Sequence, residues 1–115
     1  MILPKWHAVI MVHGCFWHRH PNCKFAYSPR SRIPFWERKF RENVARDERD
    51  VALLRAAGWR VLIVWECGLR DRNTRESVLA RATKWLRSRS MQLELPNGRY
   101  FDDATEPTPT STRQR

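Results

Sequence analysis

Residues 1–36 contain no aspartate or glutamate. That stretch therefore offers no carboxylate to a divalent cation, which would need oxygen ligands. Long hydrophobic runs are missing too. Ala8–Val12 is apolar, but a membrane-spanning helix needs about 20 such residues, and no secretory leader is evident. Cysteine is scarce and odd in number, three in 115 residues. An odd count argues against a closed disulfide framework, and with histidines nearby it favours metal ligation. No internal repeat is found. The compartment expected by default is the reducing cytoplasm, with no membrane partner.

The chain is long enough for one domain, which would bury roughly two-thirds of its unfolded surface, and its apolar content of 42% is ordinary for a globular protein. The net charge of +10 is not ordinary. It calls for a polyanionic partner, nucleic acid first. Residues 7–13, "HAVIMVH", read as a buried strand, and "HGCFWHRHPNC" leaves it through a glycine as a loop. Residues 24–34 form an irregular basic arm. Pro34 suits the first turn of a helix, after which Trp36, Phe40, Val44, Val51 and Leu54 recur at helical spacing. Gly58 is a candidate cap for its end. "WRVLIVWEC", 59–67, is apolar almost throughout, as a central strand covered on both faces would be. A second helix is expected over 74–87, with Val78, Leu79, Ala82 and Leu86 on one side. "LELPNGRYF" is expected as an edge hairpin or an extended segment, and residues 102–115 as a disordered tail. Strand, helix, strand in this order indicates a parallel crossover in an α/β sheet.

"VHGCFWHRHPNC", residues 12–23, gathers three histidines and two cysteines around a Phe-Trp pair. Zinc takes four Cys or His ligands in a tetrahedron. Cys15, His20 and Cys23 lie in one loop, and Cys67 is far away at the end of the central strand. Local ligands completed by a distant one make a staple between loop and sheet, worth about 10 kcal/mol or more of binding coupled to folding. His18 or His13 can replace His20 by spacing alone. The histidines not used as ligands are free for other work, since an imidazole as such can serve as an acid or base. Phe16 and Trp17, with Trp36 ahead of the basic helix, suit apolar wedges of the kind inserted between base steps. The competing expectation for these rings is a small core around the metal.

"VHGCFWHRHPNC", "FWERKFRENVARDERD" and "GWRVLIVWEC" together resemble the very short patch repair (Vsr) DNA mismatch endonucleases, over residues 4–71 and more weakly beyond. The resemblance implies a restriction-endonuclease-like mixed sheet flanked by helices, spanning residues 1–101, with a structural zinc site. It implies an enzyme that nicks double-stranded DNA on the 5′ side of the thymine in a T:G mismatch left by deamination of 5-methylcytosine. By motif position, Cys15, His20, Cys23 and Cys67 would bind zinc. His18 would be the general base and His13 would stabilise the reacting phosphate. Phe16, Trp17 and Trp36 would intercalate, while Lys39 and Asn43 would contact the mismatched bases. Magnesium would take the backbone carbonyl of Val12, where the family often has threonine. The family's metal-binding aspartate would fall immediately before Met1, so the domain is expected to be truncated at its N-terminus relative to the family. Glu66 is then the acid nearest the site. The partners expected are DNA and mismatch-repair proteins, with the protein itself a monomer. The alternative is a non-catalytic, zinc-stapled DNA-binding module.

Overall fold

A computed structural model describes residues 1–97. Two β-branched, apolar runs form its centre. Strand β2 (Ala8–His13) pairs in parallel with β3 (Arg60–Trp65), in register from Ala8 opposite Arg60 to His13 opposite Trp65. The crossover between them is the helix α2 (Ile33–Ala56), 24 residues long. It starts one residue ahead of the proline expected to begin it. It ends in a Schellman motif: Trp59 N–H donates to Leu54 C=O and Gly58 N–H to Arg55 C=O, both at 3.0 Å. Gly58 has φ +90° there, a conformation open to glycine at little cost.

Two further strands complete a mixed sheet in the order β1-β2-β3-β4. Strand β1 (Ile2–Leu3) lies antiparallel against β2. Two residues carry no alternation to read, and it was not expected. Strand β4 (Gln92–Leu95) pairs in parallel with β3, so of the two expectations for this segment the extended one holds as far as the strand runs. Positions 98–101 of that segment, and the tail expected over 102–115, lie outside the described residues.

The side chains of β3 alternate between two cores with the period of two that a pleated strand imposes. Leu62 and Val64 pack with Ala8, Leu93 and Leu95 against Val78 and Trp85 of α4 (Arg72–Leu86). Val61, Ile63 and Trp65 face the other way, with Val51 of α2 and Cys15. The central strand is thus covered on both faces. Helix α4 begins two residues before the expected start, because the Asp71 side chain caps it by accepting from Thr74 N–H at 3.1 Å.

Two local expectations are corrected. The segment after Gly14 is not all loop: Cys15–His18 form a single helical turn, α1. Strand β3 stops at Trp65, so Cys67 does not end the strand but opens a second one-turn helix, α3 (Cys67–Arg70). Gly68 in α3 sits so close to α4 and the end of β4 that a Cβ there would lie 3.1 Å from Val78 Cγ2 and 2.9 Å from Pro96 Cδ. No described helix is long and apolar enough to cross a membrane.

Arg60, the first residue of β3, ties the edges of this layer together. Its guanidinium donates to the carbonyls of Ser90, Trp6, Leu86 and Trp85, at 2.6–3.2 Å, and lies 4.3 Å from the Trp85 ring centroid. Arg60→Ala is expected to destabilise the protein by about 2–3 kcal/mol, because hydrogen bonds from a charged donor are lost together and their acceptors stay partly buried. A denaturant midpoint equal to that of the parent would show that these contacts contribute nothing net.

Candidate functional site

The motifs meet where β2 and β3 end side by side. Gly14 leads the chain off β2 into α1, placing Cys15 fully buried at the first helical position. Arg19, in the left-handed conformation with φ 56°, turns the chain back so that His20 faces Cys15. Cys23 and Cys67 close the group, and one ligand atom from each of Cys15, His20, Cys23 and Cys67 lies within 4.8 Å of the others. His20 Nδ1 is 3.7 Å from Cys15 Sγ and 3.5 Å from Cys67 Sγ. Tetrahedral bonds of about 2.3 Å to sulfur and about 2.05 Å to nitrogen put neighbouring ligands roughly 3.5–3.8 Å apart, so the donor set fits a single zinc-sized ion. His20 Nε2–H donates to the Asn97 carbonyl at 3.0 Å, which leaves the Nδ1 lone pair facing the sulfurs. The ring stacks on Trp65 at 4.3 Å. His20, rather than His13 or His18, therefore joins the cysteines.

All three cysteines are free of disulfides. Burial raises the Cys15 thiol above its ordinary range. Cys67 is pushed up to about 12, by burial first and then by Cys15 and Cys23 beside it. Thiols held protonated in this way become thiolates only if a cation enters among them.

A second cluster lies beside the first. His13 ends β2 and is buried, and His18 ends α1. Their rings stack at 4.1 Å with an 11° interplanar angle. Asp47 reaches them from α2, its Oδ2 2.5 Å from His18 Nδ1. The carboxylate holds the proton on Nδ1, so Nε2 is the nitrogen left to accept one. The His18 side chain is 29% exposed and that of Asp47 8%, so solvent reaches the imidazole from one side. Burial lowers His13 to about 4, with the neighbouring His18 adding to the shift and Asp47 opposing it. His13 is therefore neutral at pH 7.

Asp47 was missed in the sequence. Counting apolar residues along α2 selects Val44, but the buried positions of the helix are Asn43, Asp47 and Val51. A carboxylate at a position that continues the inward stripe Trp36, Phe40, Asn43 was the available signal. Asn43 itself donates to the Trp17 carbonyl at 3.2 Å and is buried, while Lys39, one turn earlier, is exposed. Glu66 lies between the two clusters. Its Oε1 accepts from Cys15 N–H at 3.4 Å and its Oε2 is 3.6 Å from Arg70. Val12 precedes His13 at the end of β2 and is 61% exposed.

The aromatic residues form one connected group over α1 and the start of α2. Phe16 is its centre, with ring centroids of Trp17 at 5.1 Å, Tyr27 at 4.9 Å, Trp36 at 5.6 Å and Phe40 at 5.2 Å. It is neither a closed core nor a bare wedge. Phe16 is half-buried, whereas Trp17 and Tyr27 remain 49% and 64% exposed. Around it, Arg32, Arg38, Lys39 and Arg41 are exposed.

A mixed sheet flanked by helices, with a Cys/His cluster and a histidine–carboxylate pair at one end, is consistent with an α/β nuclease fold. Comparison with curated proteins gives the relationship. The DNA mismatch endonuclease Vsr of Escherichia coli (strain K12) is 45% identical over 87 residues, 74% of this chain and 55% of that protein. The type II nicking enzyme V.XorIIP of Xanthomonas oryzae pv. oryzae is 44% identical over 79 residues, 69% of this chain and 57% of the relative. V.NmeAIP of Neisseria meningitidis, also a type II nicking enzyme, is 36% identical over 72 residues, 63% of this chain and 51% of the relative. No family model matches the chain. The chain is a relative of the Vsr endonucleases, and it spans about half the length of the curated relatives it matches.

Proposed function

We propose that this chain is the zinc-stapled core of a DNA mismatch endonuclease with a restriction-endonuclease-like fold, nicking 5′ to the thymine of a T:G mismatch. The observation that carries the reading is the Asp47–His18 pair, set one residue from the half-exposed Trp17 on the same helical turn. It puts a proton acceptor beside a ring suited to opening a base step. In this reading Asp47 fixes the His18 tautomer, and Nε2 takes the proton of the attacking water. Neutral His13, stacked behind His18, contacts the reacting phosphate. Trp17, with Phe16 and Trp36, wedges the duplex open next to the mismatch, and Lys39 and Asn43 face the mismatched bases. Cys15, His20, Cys23 and Cys67 would hold a zinc ion through four protein ligands, and the ion would supply structure alone. The protein acts as a monomer in the cytoplasm, alongside mismatch-repair proteins.

Magnesium, implied by the family resemblance, does not fit the described residues by themselves. The ion wants near-octahedral oxygen ligands. Of the acids close by, Asp47 is engaged by His18, and Glu66 by Cys15 N–H and Arg70. The second reading is a DNA-binding module of the same fold that does not cut.

Both readings require binding, and a titration tests it. Affinity for a T:G duplex should exceed that for the matched duplex. Affinity should also fall as salt rises, since a protein with net charge +10 releases counterions from the phosphates it covers. Trp17→Ala should weaken the preference for the mismatch more than binding to matched DNA. Equal losses on both duplexes would remove the wedge assignment.

A further inference from the structure

Arg19 and Tyr27 have no part in the chemistry assigned above, yet the structure ties them closely to it. Arg19 Nη1 donates to the carbonyls of Phe16, at 3.2 Å, and Tyr27, at 3.0 Å, while Nη2 donates to that of Ala26, at 3.0 Å. Its guanidinium lies 3.9 Å from the Phe40 ring centroid. One side chain thus joins α1, the arm that follows Cys23, and α2. A flat, forked donor suits three carbonyls on two segments, and a lysine ammonium would not reproduce that reach. Donors spent on carbonyls are not offered to phosphates, so Arg19 builds the site and is not itself a phosphate contact.

The arm held this way delivers Tyr27. Its ring packs on Phe16 at 4.9 Å, tilted 40°, while 64% of the residue stays open to solvent, and Trp17 packs on the same Phe16 ring at 5.1 Å. A large aromatic that is braced on one side and exposed on the other, among exposed arginines and a lysine, has the form of a stacking platform for nucleic-acid bases. Exposed Arg32, Arg38, Lys39 and Arg41 outnumber the exposed Glu37 and Glu42 among them, so the local charge favours a polyanion.

Resting on the reading above, we propose that Tyr27 is a DNA-contacting residue. Its ring stacks on a base unstacked at the step that Trp17 opens, and Arg19 is the positioning residue that holds it there. The partner is duplex DNA at a distorted step, because only there is a base face available to the ring.

The test is binding to a T:G duplex carrying 2-aminopurine next to the mismatch, read both as affinity and as fluorescence. Tyr27→Ala should weaken binding to this duplex roughly 5- to 100-fold, the usual worth of one stacked base, and relieve part of the 2-aminopurine quenching. Tyr27→Phe should restore both, since the ring and not the hydroxyl does the stacking. Arg19→Lys should weaken binding in the same direction while leaving zinc content and helical circular dichroism as in the parent. Combined with Tyr27→Ala, it should cost little more than Tyr27→Ala alone. Parent-like affinity and quenching for Tyr27→Ala, with Trp17→Ala impaired, overturns this inference and leaves the mismatch reading standing. Full additivity of the two substitutions overturns the positioning role of Arg19. Failure of the parent chain to prefer the mismatched duplex overturns the functional reading and this inference together.

Discussion

Removal of the zinc proposed for the Cys/His cluster is expected to unfold the protein. The four donors come from two segments more than forty residues apart in sequence, Cys15–Cys23 and Cys67. Without the ion, Cys15 and Cys67 leave a buried and a half-buried thiol, both with raised pKa values, and no charge to hold the α1 loop to α3. Binding to such a site contributes about 10 kcal/mol or more at neutral pH. A domain of this kind has only about 5–15 kcal/mol of total stability, so the staple is comparable to the whole margin. Cys67→Ser should leave the zinc content well below one per chain and remove the cooperative thermal transition. Because protons compete for thiolates, zinc release should also become easier as pH falls. Metal analysis of protein purified without added zinc, followed by melting before and after chelation, checks this. An unchanged melting temperature after chelation would reduce the cluster to ordinary buried thiols.

The second large effect concerns cutting. Residues 1–115 alone are expected to nick a labelled T:G duplex poorly or not at all, and the same chain preceded by Pro-Asp to nick it in the presence of magnesium. The register of the edge strand gives the reason. Met1 exchanges both backbone hydrogen bonds with Ile10, at 2.8 and 2.9 Å, in line with Ile2 opposite Val9. A residue added before Met1 in the same antiparallel register would lie opposite Met11, one position from Val12 and at the His13 end of the sheet. A carboxylate there would be a new oxygen ligand where the described residues offer few. In the extended protein His18→Ala should lower nicking by roughly 10²–10⁴-fold, the usual worth of a general base, with zinc content unchanged. Robust magnesium-dependent nicking by residues 1–115 would mean that Glu66 or Asp47 holds the ion and that the carboxylate argument is wrong.

Much of this architecture was legible in the amino acids alone. The two parallel strands were readable because "AVIMVH" and "RVLIVW" are apolar and β-branched on both faces, and the helix between them because its apolar residues repeat at helical spacing. The metal donors were legible because cysteine and histidine seldom crowd into one short loop without a ligand to bind. Spacing could not choose among His13, His18 and His20, however. That choice came from the left-handed turn at Arg19, which aims one imidazole at the sulfurs and leaves two stacked on each other.

What only the tertiary structure decided was which distant groups meet. Asp47 looks like any acid on a charged helix until α2 packs with that face inward, and it then becomes the partner of His18. Arg19 reads as one more positive charge until its guanidinium is seen spent on three carbonyls. Tyr27 is an unremarked residue of an irregular arm until that arm is folded onto Phe16. Periodicity reports the face a residue occupies along its own element. The meeting of two elements depends on crossover geometry and strand register, which local sequence does not encode. So the sequence by itself determined the elements and the donor types, and the packing of α1 and α2 over the ends of β2 and β3 decided the constellation.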